Sequence, residues 1–439
     1  MSAKPFNCLI ILLFISLIYS CSSSRKISKA ISSQLNSEIF DQSFTGFALY
    51  DLEKKKYIVE KNSKKYFTPA SNIKLLTFYA SLKELGDSIP GIKYFTTSDS
   101  LIFWGTGDPS FLNPNLPGSK VLDFLKNSSK DLYLTSLEGS ISPLGSGWAW
   151  DDYNDAYSAE RSKFPIYGNL VNFNWQSTDP FLRSTPSYFN EYVIQNQEFS
   201  NSIIRDVDAN IFKGNLSKNE ALDKNIPFKT SSELTAELLS DTLNKPVKFI
   251  SKPGYIQNKN IQTIYSIAAD SLYKEMLHKS DNFIAEQLLL LISEKLSDSL
   301  NTIIAIDHIQ SVYFNNLQDE IKWVDGSGLS RYNLVTPRTL VTILDRIQKE
   351  LPKEQLFKLL PAGGKTGTIE NWYSSDIPDD PHIYAKSGSL RNNYSLSGYL
   401  KTKSGKLMIF SFMNNNYVAP SAEIKKAMEK MFLEIRNSY

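Results

Sequence analysis

The sequence predicts an α/β domain that is split by a mostly β insertion. Three observations support this fold class. Strand patterns occur near both ends of the chain, helical patterns return in residues 263–351, and residues 87–262 consist of short apolar runs broken by Asn, Ser, Pro and Gly. We therefore predict a leader at 1–20, a first part of the main domain at 21–86, an insertion at 87–262 and a second part at 263–439.

The N-terminus has the layout of an export signal. Lys4 is followed by an apolar stretch, Leu9–Tyr19, that is too short to span a bilayer. Cys21 then opens a polar run and resembles the lipid-attachment cysteine of bacterial lipoproteins. We expect an exported, periplasmic protein that meets a membrane only through a lipid anchor on Cys21. A plain cleavage near Ser20 is the alternative.

The composition excludes several other classes of protein. The 48 Lys and Arg residues against 46 Asp and Glu residues give a formal charge of +2, so no basic field predicts a nucleic acid as partner. The chain has 2 cysteines, and loss of the leader removes one of them, so the mature protein cannot form an internal disulfide. His278, His308 and His382 lack the spacing of metal ligands, and we predict no metal and no cofactor.

The first part of the main domain contains two strands and a helix. Phe44–Tyr50 and Lys56–Glu60 form strands around a charged turn. Thr68–Gly86 begins with a Thr-Pro pair that fits an N-cap and first helical position, continues with apolar residues at helical spacing and ends in Gly. This pattern predicts a helix that carries Ser71 and Lys74 in its first two turns.

The second part predicts helices followed by a hairpin and a last helix. The helical segments are Tyr265–Lys279, Ala285–Leu296, Pro337–Leu351 and Ala422–Ile435. Ile383–Ala385 leads into one strand, and Ser395–Thr402 and Lys406–Met413 alternate as a hairpin around a Ser-Gly turn.

A Ser-x-x-Lys motif supplies a candidate nucleophile, Ser71, and its base, Lys74. A serine hydroxyl needs a base within hydrogen-bond reach, and residues three apart share one helical face. A lysine in a closed site near another cation can lose its proton near neutral pH. The same motif occurs at Ser23–Lys26 and Ser271–Lys274, so the assignment needs further support.

Two later motifs give that support. Ser280–Asn282 and then Lys386–Gly388 follow in the order that is typical of penicillin-binding proteins and serine β-lactamases. Ser280 is expected to relay a proton between Lys74 and the leaving amine, and the Asn282 amide to orient Lys74 and bind the substrate backbone.

The third motif is expected to bind the terminal carboxylate of the substrate. Lys386 supplies the positive charge and Ser387 a hydroxyl, with Gly388 beside them. The backbone N–H groups of Ser71 and Ser389 are the expected oxyanion hole. A more literal Lys-Thr-Gly copy at 365–367 lies in a Gly-rich loop and not in a strand, so we assign the role to the later copy.

Several blocks together resemble the D-alanyl-D-alanine carboxypeptidase/endopeptidases of the penicillin-binding protein 4 type. The resemblance covers most of the mature chain, in the order of that family. The blocks are Pro69–Lys74, Gly105–Pro109, His278–Asn282, Asp325–Arg331 and Ala385–Leu390.

The resemblance implies a penicilloyl-serine-transferase fold, as in β-lactamases and transpeptidases, with an insertion between the first two motifs. It implies cleavage of D-Ala-D-Ala or of cross-links in peptidoglycan stem peptides through an acyl-serine, and covalent inhibition by β-lactam antibiotics. It also implies that Asp152 and Arg331 hold the zwitterionic end of a diaminopimelate side chain. Arg391 departs from the uncharged residue more usual in the family.

Two other functions remain as alternatives. One is a serine β-lactamase or esterase on the same fold, although no Glu-x-x-x-Asn stretch lies between the first two motifs. The other is an inactive lipoprotein that binds the wall as a scaffold.

Overall fold

The computed structural model describes residues 28–118, 120–136, 141–175, 182–195, 202–215, 221–251, 259–377 and 379–438. The predicted leader and Cys21 lie outside these residues. The strands are β1 (Phe44–Asp51), β2 (Lys56–Lys61), β3 (Ser88–Thr96), β4 (Ser100–Gly105), β5 (Asp131–Leu134), β6 (Leu170–Trp175), β7 (Arg183–Thr185), β8 (Val193–Gln195), β9 (Ser202–Arg205), β10 (Phe212–Asn215), β11 (Leu222–Pro227), β12 (Val247–Phe249), β13 (Gln262–Ala268), β14 (Ile383–Leu390), β15 (Asn393–Lys401) and β16 (Leu407–Asn415).

The helices are α1 (28–35), α2 (Lys74–Glu84), α3 (Lys120–Asn127), α4 (Ser232–Leu243), α5 (Ala269–His278), α6 (Asn282–Ser297), α7 (Thr302–Val312), α8 (Pro337–Glu350), α9 (Lys353–Leu359) and α10 (Ser421–Ser438). No helix in the described part of the chain is both long enough and apolar enough to cross a membrane.

The chain divides into two compact units by its internal contacts. The first unit contains the described residues of Met1–Leu75, Leu317–Lys322 and Asn333–Tyr439. The second contains those of Leu76–Asn316 and Trp323–Tyr332. The domain boundaries that the sequence predicts stay a prediction.

The first unit is built on one antiparallel sheet with the strand order β14-β15-β16-β1-β2. Successive residues of its strands face opposite sides, because the side-chain period of a strand is two. Phe47 of β1 and Phe410 and Phe412 of β16 lie in one core with α1 and with Met428 and Phe432 of α10. The C-terminal strands predicted around the Ser-Gly turn are therefore central to the unit.

The other face of this sheet packs against α8. Gly46 of β1 lies against Phe67 and Pro337, where an added Cβ would be 2.5 Å and 2.9 Å from their side chains. The Tyr399 hydroxyl of β15 donates to the Leu344 carbonyl of α8 at 2.7 Å. The sheet therefore has helices on both faces, and β14 is one of its two edge strands.

The second unit contains three sheets. One has the order β12-β5-β4-β3-β13, and two smaller sheets have the orders β8-β10-β9 and β11-β6-β7. Between β3 and β13, the described helices of eight or more residues are α3 and α4, which agrees with the predicted mostly β insertion. These sheets and helices share a core that is rich in aromatic residues, with Phe103, Phe173, Phe189 and Phe212 fully buried.

Helix α6 runs through the interior of the second unit. Its residues from Phe283 to Glu294 are all buried, polar ones such as Glu286 and Gln287 included, so it needs neighbours all round. The Asp281 carboxylate accepts the Ile284 N–H at 2.8 Å and caps its first turn. The helix thus has a fixed start, directly after Ser280.

Two predicted elements are wrong in detail. The predicted helix Tyr265–Lys279 begins only at Ala269, because β13 precedes it and pairs with β3. Sheet pairing overrides a helical spacing of apolar residues here. The predicted helix that begins at Thr68–Pro69 is a 3-10 turn over Ala70–Ile73, and the α-helix starts at Lys74.

Candidate active site

Ser71 lies in a tight turn that precedes α2. Pro69 has φ −80° and ψ −14°, and Ala70 then takes the left-handed conformation with φ 50°. This conformation costs a non-glycine residue roughly 1–2 kcal/mol. Such strain is typical of sites where a turn must present a functional group, and here it directly precedes the candidate nucleophile.

The Lys74 ammonium donates to the Ser71 hydroxyl oxygen. The distance from Nζ to Oγ is 3.0 Å, and the Lys74 side chain is fully buried. The predicted spacing therefore brings the pair into contact, although through a 3-10 turn that continues into the helix. When Lys74 is neutral, its lone pair is within reach of the Ser71 proton.

Lys386 lies on β14 and is also fully buried. Its Nζ donates to the Ser387 carbonyl at 2.6 Å. Burial lowers the pKa of Lys386 well below the usual value, and the nearby charge of Lys74 lowers it further. Repulsion between two such cations acts on both, so the pair favours a state in which one amine is neutral. The neutral amine that Ser71 requires as a nucleophile is that of Lys74, the one it contacts.

Gly388 allows β14 to lie directly against the Ser71 turn. A Cβ at this position would be 2.7 Å from the Pro69 carbonyl oxygen and 2.9 Å from the Asn72 N–H nitrogen. The Asn72 side-chain amide donates to the Lys386 carbonyl at 3.1 Å and to the Ser395 carbonyl at 3.4 Å. Asn72 therefore fixes the distance between nucleophile and strand, a role that sequence reasoning missed.

A loop covers the outer edge of β14 along the first half of the strand. Gly363 donates to the Ile383 carbonyl at 2.9 Å, and Ala385 donates to the Pro361 carbonyl at 3.0 Å. Backbone groups of alternate residues in an antiparallel strand point the same way. The N–H groups of Ser387 and Ser389 therefore also point away from β15, as an oxyanion donor on this strand requires.

The literal Lys-Thr-Gly copy lies in the loop that covers this edge. Lys365 is exposed and pairs with Asp379 at 3.1 Å. Its loop turns through Gly364 and Gly367, both with positive φ, and is not a strand. The geometry favours Lys386 over Lys365 for the carboxylate-binding role.

In the second unit, the turn before α6 positions the second motif. Ser280 has φ 59°, and Asn282 is the first residue of the helix. The Asn282 side-chain amide donates to the Tyr157 carbonyl at 3.0 Å. Asn282 is thus oriented by a residue that sequence analysis did not single out.

Tyr157 also meets the acidic segment that contains Asp152. Asp152 lies in the 3-10 turn Trp150–Asn154 and is partly exposed. The Tyr157 hydroxyl donates to Asp155 at 3.0 Å. Burial, followed by hydrogen bonds to Asp152 and Asp155, raises the pKa of Tyr157. The tyrosine therefore stays protonated and bridges the second motif and the candidate specificity segment.

Asp325 connects the two segments that carry Asp152 and Arg331. Its carboxylate accepts the Trp148 indole N–H at 2.9 Å, the Gly328 N–H at 2.8 Å and the Ser330 N–H at 2.7 Å. Arg331 follows directly and is exposed. One buried carboxylate thus holds both chain segments in place.

The structure therefore presents the predicted residues as two groups. The first unit brings together Ser71, Lys74, Lys386, Ser387, Gly388 and Ser389. The second unit carries Asp152, Ser280, Asn282 and Arg331. Among the described residues, no group of three or more His, Cys, Asp or Glu side chains could hold a metal ion.

Comparisons with known proteins agree on one family. Residues 27–435 match the D-Ala-D-Ala carboxypeptidase 3 (S13) family. A D-alanyl-D-alanine carboxypeptidase, DacB, of Haemophilus influenzae is 25% identical over 455 residues, which cover 93% of this chain and 92% of that protein. A penicillin-sensitive carboxypeptidase A of Dictyostelium discoideum is 21% identical, covering 86% of this chain and 83% of that one.

Solved structures agree on the fold. The crystal structure of penicillin-binding protein 4 from Haemophilus influenzae superposes with a TM-score of 0.75 at 20% identity, covering 93% of this chain and 99% of the other. A predatory endopeptidase from Bdellovibrio bacteriovorus gives a TM-score of 0.53 at 16% identity over 90% and 93% of the two chains. The predicted fold class and family resemblance are confirmed.

Proposed function

This chain belongs to the D-Ala-D-Ala carboxypeptidase 3 (S13) family, and from that premise we propose that its reaction proceeds through an ester of the substrate acyl group with Ser71. It is a serine-type D-Ala-D-Ala carboxypeptidase/endopeptidase that acts on peptidoglycan. The observation that carries the assignment of the nucleophile is the 3.0 Å contact between Ser71 Oγ and Lys74 Nζ, beside a second buried lysine.

Acylation begins when the neutral Lys74 amine takes the proton of Ser71. The Ser71 oxygen then attacks the carbonyl carbon of the penultimate D-Ala. The negative charge of the tetrahedral intermediate is held by the N–H groups of Ser71 and Ser389, a contribution typically worth about 100- to 1,000-fold in rate per donor. When the C–N bond breaks, the leaving amine takes a proton from Lys74 through Ser280.

Deacylation reverses these roles. Lys74 is again neutral once its proton has left with the amine, so it can take a proton from water that attacks the acyl carbonyl. The C–O bond to Ser71 breaks, and Ser71 recovers its proton. Asn282 orients the substrate backbone throughout.

The terminal carboxylate of the substrate is bound at Lys386 and Ser387, with Gly388 keeping the strand close. The substrate carboxylate restores the charge on Lys386, because an anion beside a buried amine raises its pKa. Substrate binding therefore leaves Lys74 as the neutral member of the pair, which couples carboxylate recognition to activation of the nucleophile.

We also propose that Asp152 and Arg331 select the third residue of the stem peptide. Their opposite charges suit the ammonium and carboxylate at the end of a diaminopimelate side chain. Support comes from the Asp325 carboxylate, which holds both segments by hydrogen bonds.

Export and anchoring form a separate proposal. The apolar leader and Cys21 support secretion to the periplasm and attachment by lipid on Cys21. Mass spectrometry of the mature N-terminus tests it. A diacylated Cys21 supports the proposal, and a mature protein that starts at any other residue contradicts it.

A hydrolysis assay tests the proposed reaction. Release of D-Ala from a peptide ending in D-Ala-D-Ala should require Ser71, and Ser71→Ala should abolish it while thermal unfolding is unchanged. Rapid turnover of penicillin would instead favour the β-lactamase alternative, and a wild-type protein without either activity would favour the scaffold. The penicillin-binding protein 4 of Haemophilus influenzae has been solved in complex with a novel β-lactam, which supports binding of β-lactam antibiotics by this chain as well.

A further inference from the structure

The loop that covers the first half of the β14 edge ends in a threonine directly beside the third motif. Thr368 Oγ1 lies 2.6 Å from Ser387 Oγ. The pair is formed across 18 intervening residues and belongs entirely to the first unit. The sequence analysis assigned no role to Thr368.

The position of Thr368 is fixed from both sides. Before it, Gly367 has φ 67°, a conformation that favours glycine, and Thr366 Oγ1 accepts the Ala362 N–H at 3.0 Å. After it, Ile369 is fully buried, and its carbonyl accepts the Gly364 N–H at 3.1 Å. Thr368 itself is exposed, but the backbone on both sides of it is held in place.

The contact with Thr368 restricts a hydroxyl that would otherwise be free to rotate. A serine at position 387 lacks the β-methyl group that restricts threonine to few rotamers, so its hydroxyl would otherwise sample several directions. A hydroxyl has one proton to donate. Because one proton is used between Thr368 and Ser387, the other remains available to a third acceptor at this edge.

We propose that Thr368 is a positioning residue that holds the Ser387 hydroxyl for the terminal carboxylate of the substrate. The inference rests on the proposed function, in which Lys386 and Ser387 bind that carboxylate. A carboxylate that approaches the β14 edge meets the buried Lys386 amine, whose charge it restores, and a pair of hydroxyl groups that already contact each other. Ordering the donor beforehand reduces the entropy lost on binding.

The test compares two substrates in variants of Thr368. One substrate is a peptide ending in D-Ala-D-Ala, and the other is the same peptide with a C-terminal carboxamide. Thr368→Val keeps the shape and removes the hydroxyl, and we expect it to lower kcat/KM for the acid about 10-fold, chiefly through KM, since hydrogen bonds to charged groups contribute on that order. The amide should change by less than about twofold, and Thr368→Ser should retain the wild-type ratio of acid to amide.

Thr366→Val is the matched control, because it removes a hydroxyl from the same loop without touching Ser387. It should lower the melting temperature and leave the acid-to-amide ratio unchanged. An equal loss for both substrates in Thr368→Val, an unchanged ratio, or the same ratio change in Thr366→Val would each overturn the role of Thr368. Wild-type protein is measured first: its failure to release D-Ala refutes the proposed function, whereas wild-type turnover with an unchanged ratio in Thr368→Val refutes this inference alone.

Discussion

Gly388→Ala should separate the nucleophile from the strand that binds the substrate. The new Cβ would lie 2.7 Å from the Pro69 carbonyl oxygen, 2.9 Å from the Asn72 nitrogen and 2.9 Å from the Asn72 side-chain amide. Two of these atoms are backbone, so no flexible side chain can move aside. Restoring an ordinary contact requires β14 and the Ser71 turn to separate by about 0.5 Å, and misplacement by about 1 Å costs about 100-fold in rate.

We therefore expect Gly388→Ala to lower the second-order rate constant of acylation by a fluorescent penicillin about 10- to 100-fold. The cost in stability should be about 1–3 kcal/mol, as for other overpacked sites. Gly86→Ala is the control, because no heavy atom lies within 4 Å of a Cβ there. An acylation rate constant within twofold of wild type in Gly388→Ala would show that the close contact at Gly388 does not set the position of Ser71.

Three further changes test other parts of the account. Lys386→Ala should lower the rate of D-Ala release about 100-fold or more, since it removes the buried cation that binds the substrate carboxylate. Lys365→Ala should retain the rate within about twofold, because its ion pair is exposed. The reverse result would contradict the assignment of the third motif to Lys386. Burial raises the pKa of Asp108 to about 6, so its protonated form stabilises the fold below about pH 4, and this contribution of about 3 kcal/mol is lost as the pH rises to 6. When the free energy of unfolding in urea is measured from pH 4 to 8, it should fall less steeply with pH in Asp108→Asn than in the wild type. Parallel curves for the two proteins would contradict this prediction. Trp148→Phe removes the indole donor to Asp325 and should lower cleavage of diaminopimelate peptides but not penicillin labelling, and an equal loss of both would contradict the specificity role.

The sequence predicted much of the fold because its signals were local. The predicted strand Lys406–Met413 and the predicted helix Pro337–Leu351 match β16 and α8 closely, and in the structure Thr336 caps α8. The sequence-based prediction failed where contacts with distant parts of the chain determine the secondary structure. Tyr265 has a helical context, but β3 supplies backbone partners that make it part of β13. The left-handed Ala70 likewise carries no sequence signal, since alanine favours helices.

The candidate site shows the same division. Ser71 and Lys74 were found because their chemistry depends on a fixed spacing along the chain. Asn72, Tyr157 and Thr368 were missed because each acts through a contact with a residue far away in sequence. Asn72 lies inside the first motif, and its amide could have been suspected of a role there, but its partners on β14 and β15 could not be read from the chain.

Ser71 is tested as the nucleophile by locating a covalent penicillin label with peptide mass spectrometry, in the wild type and in Ser71→Ala side by side. We expect a slowly lost label on the peptide that contains Ser71, and no label in the variant. A label on another peptide, or labelling that survives Ser71→Ala, would contradict the assignment of Ser71 as the nucleophile.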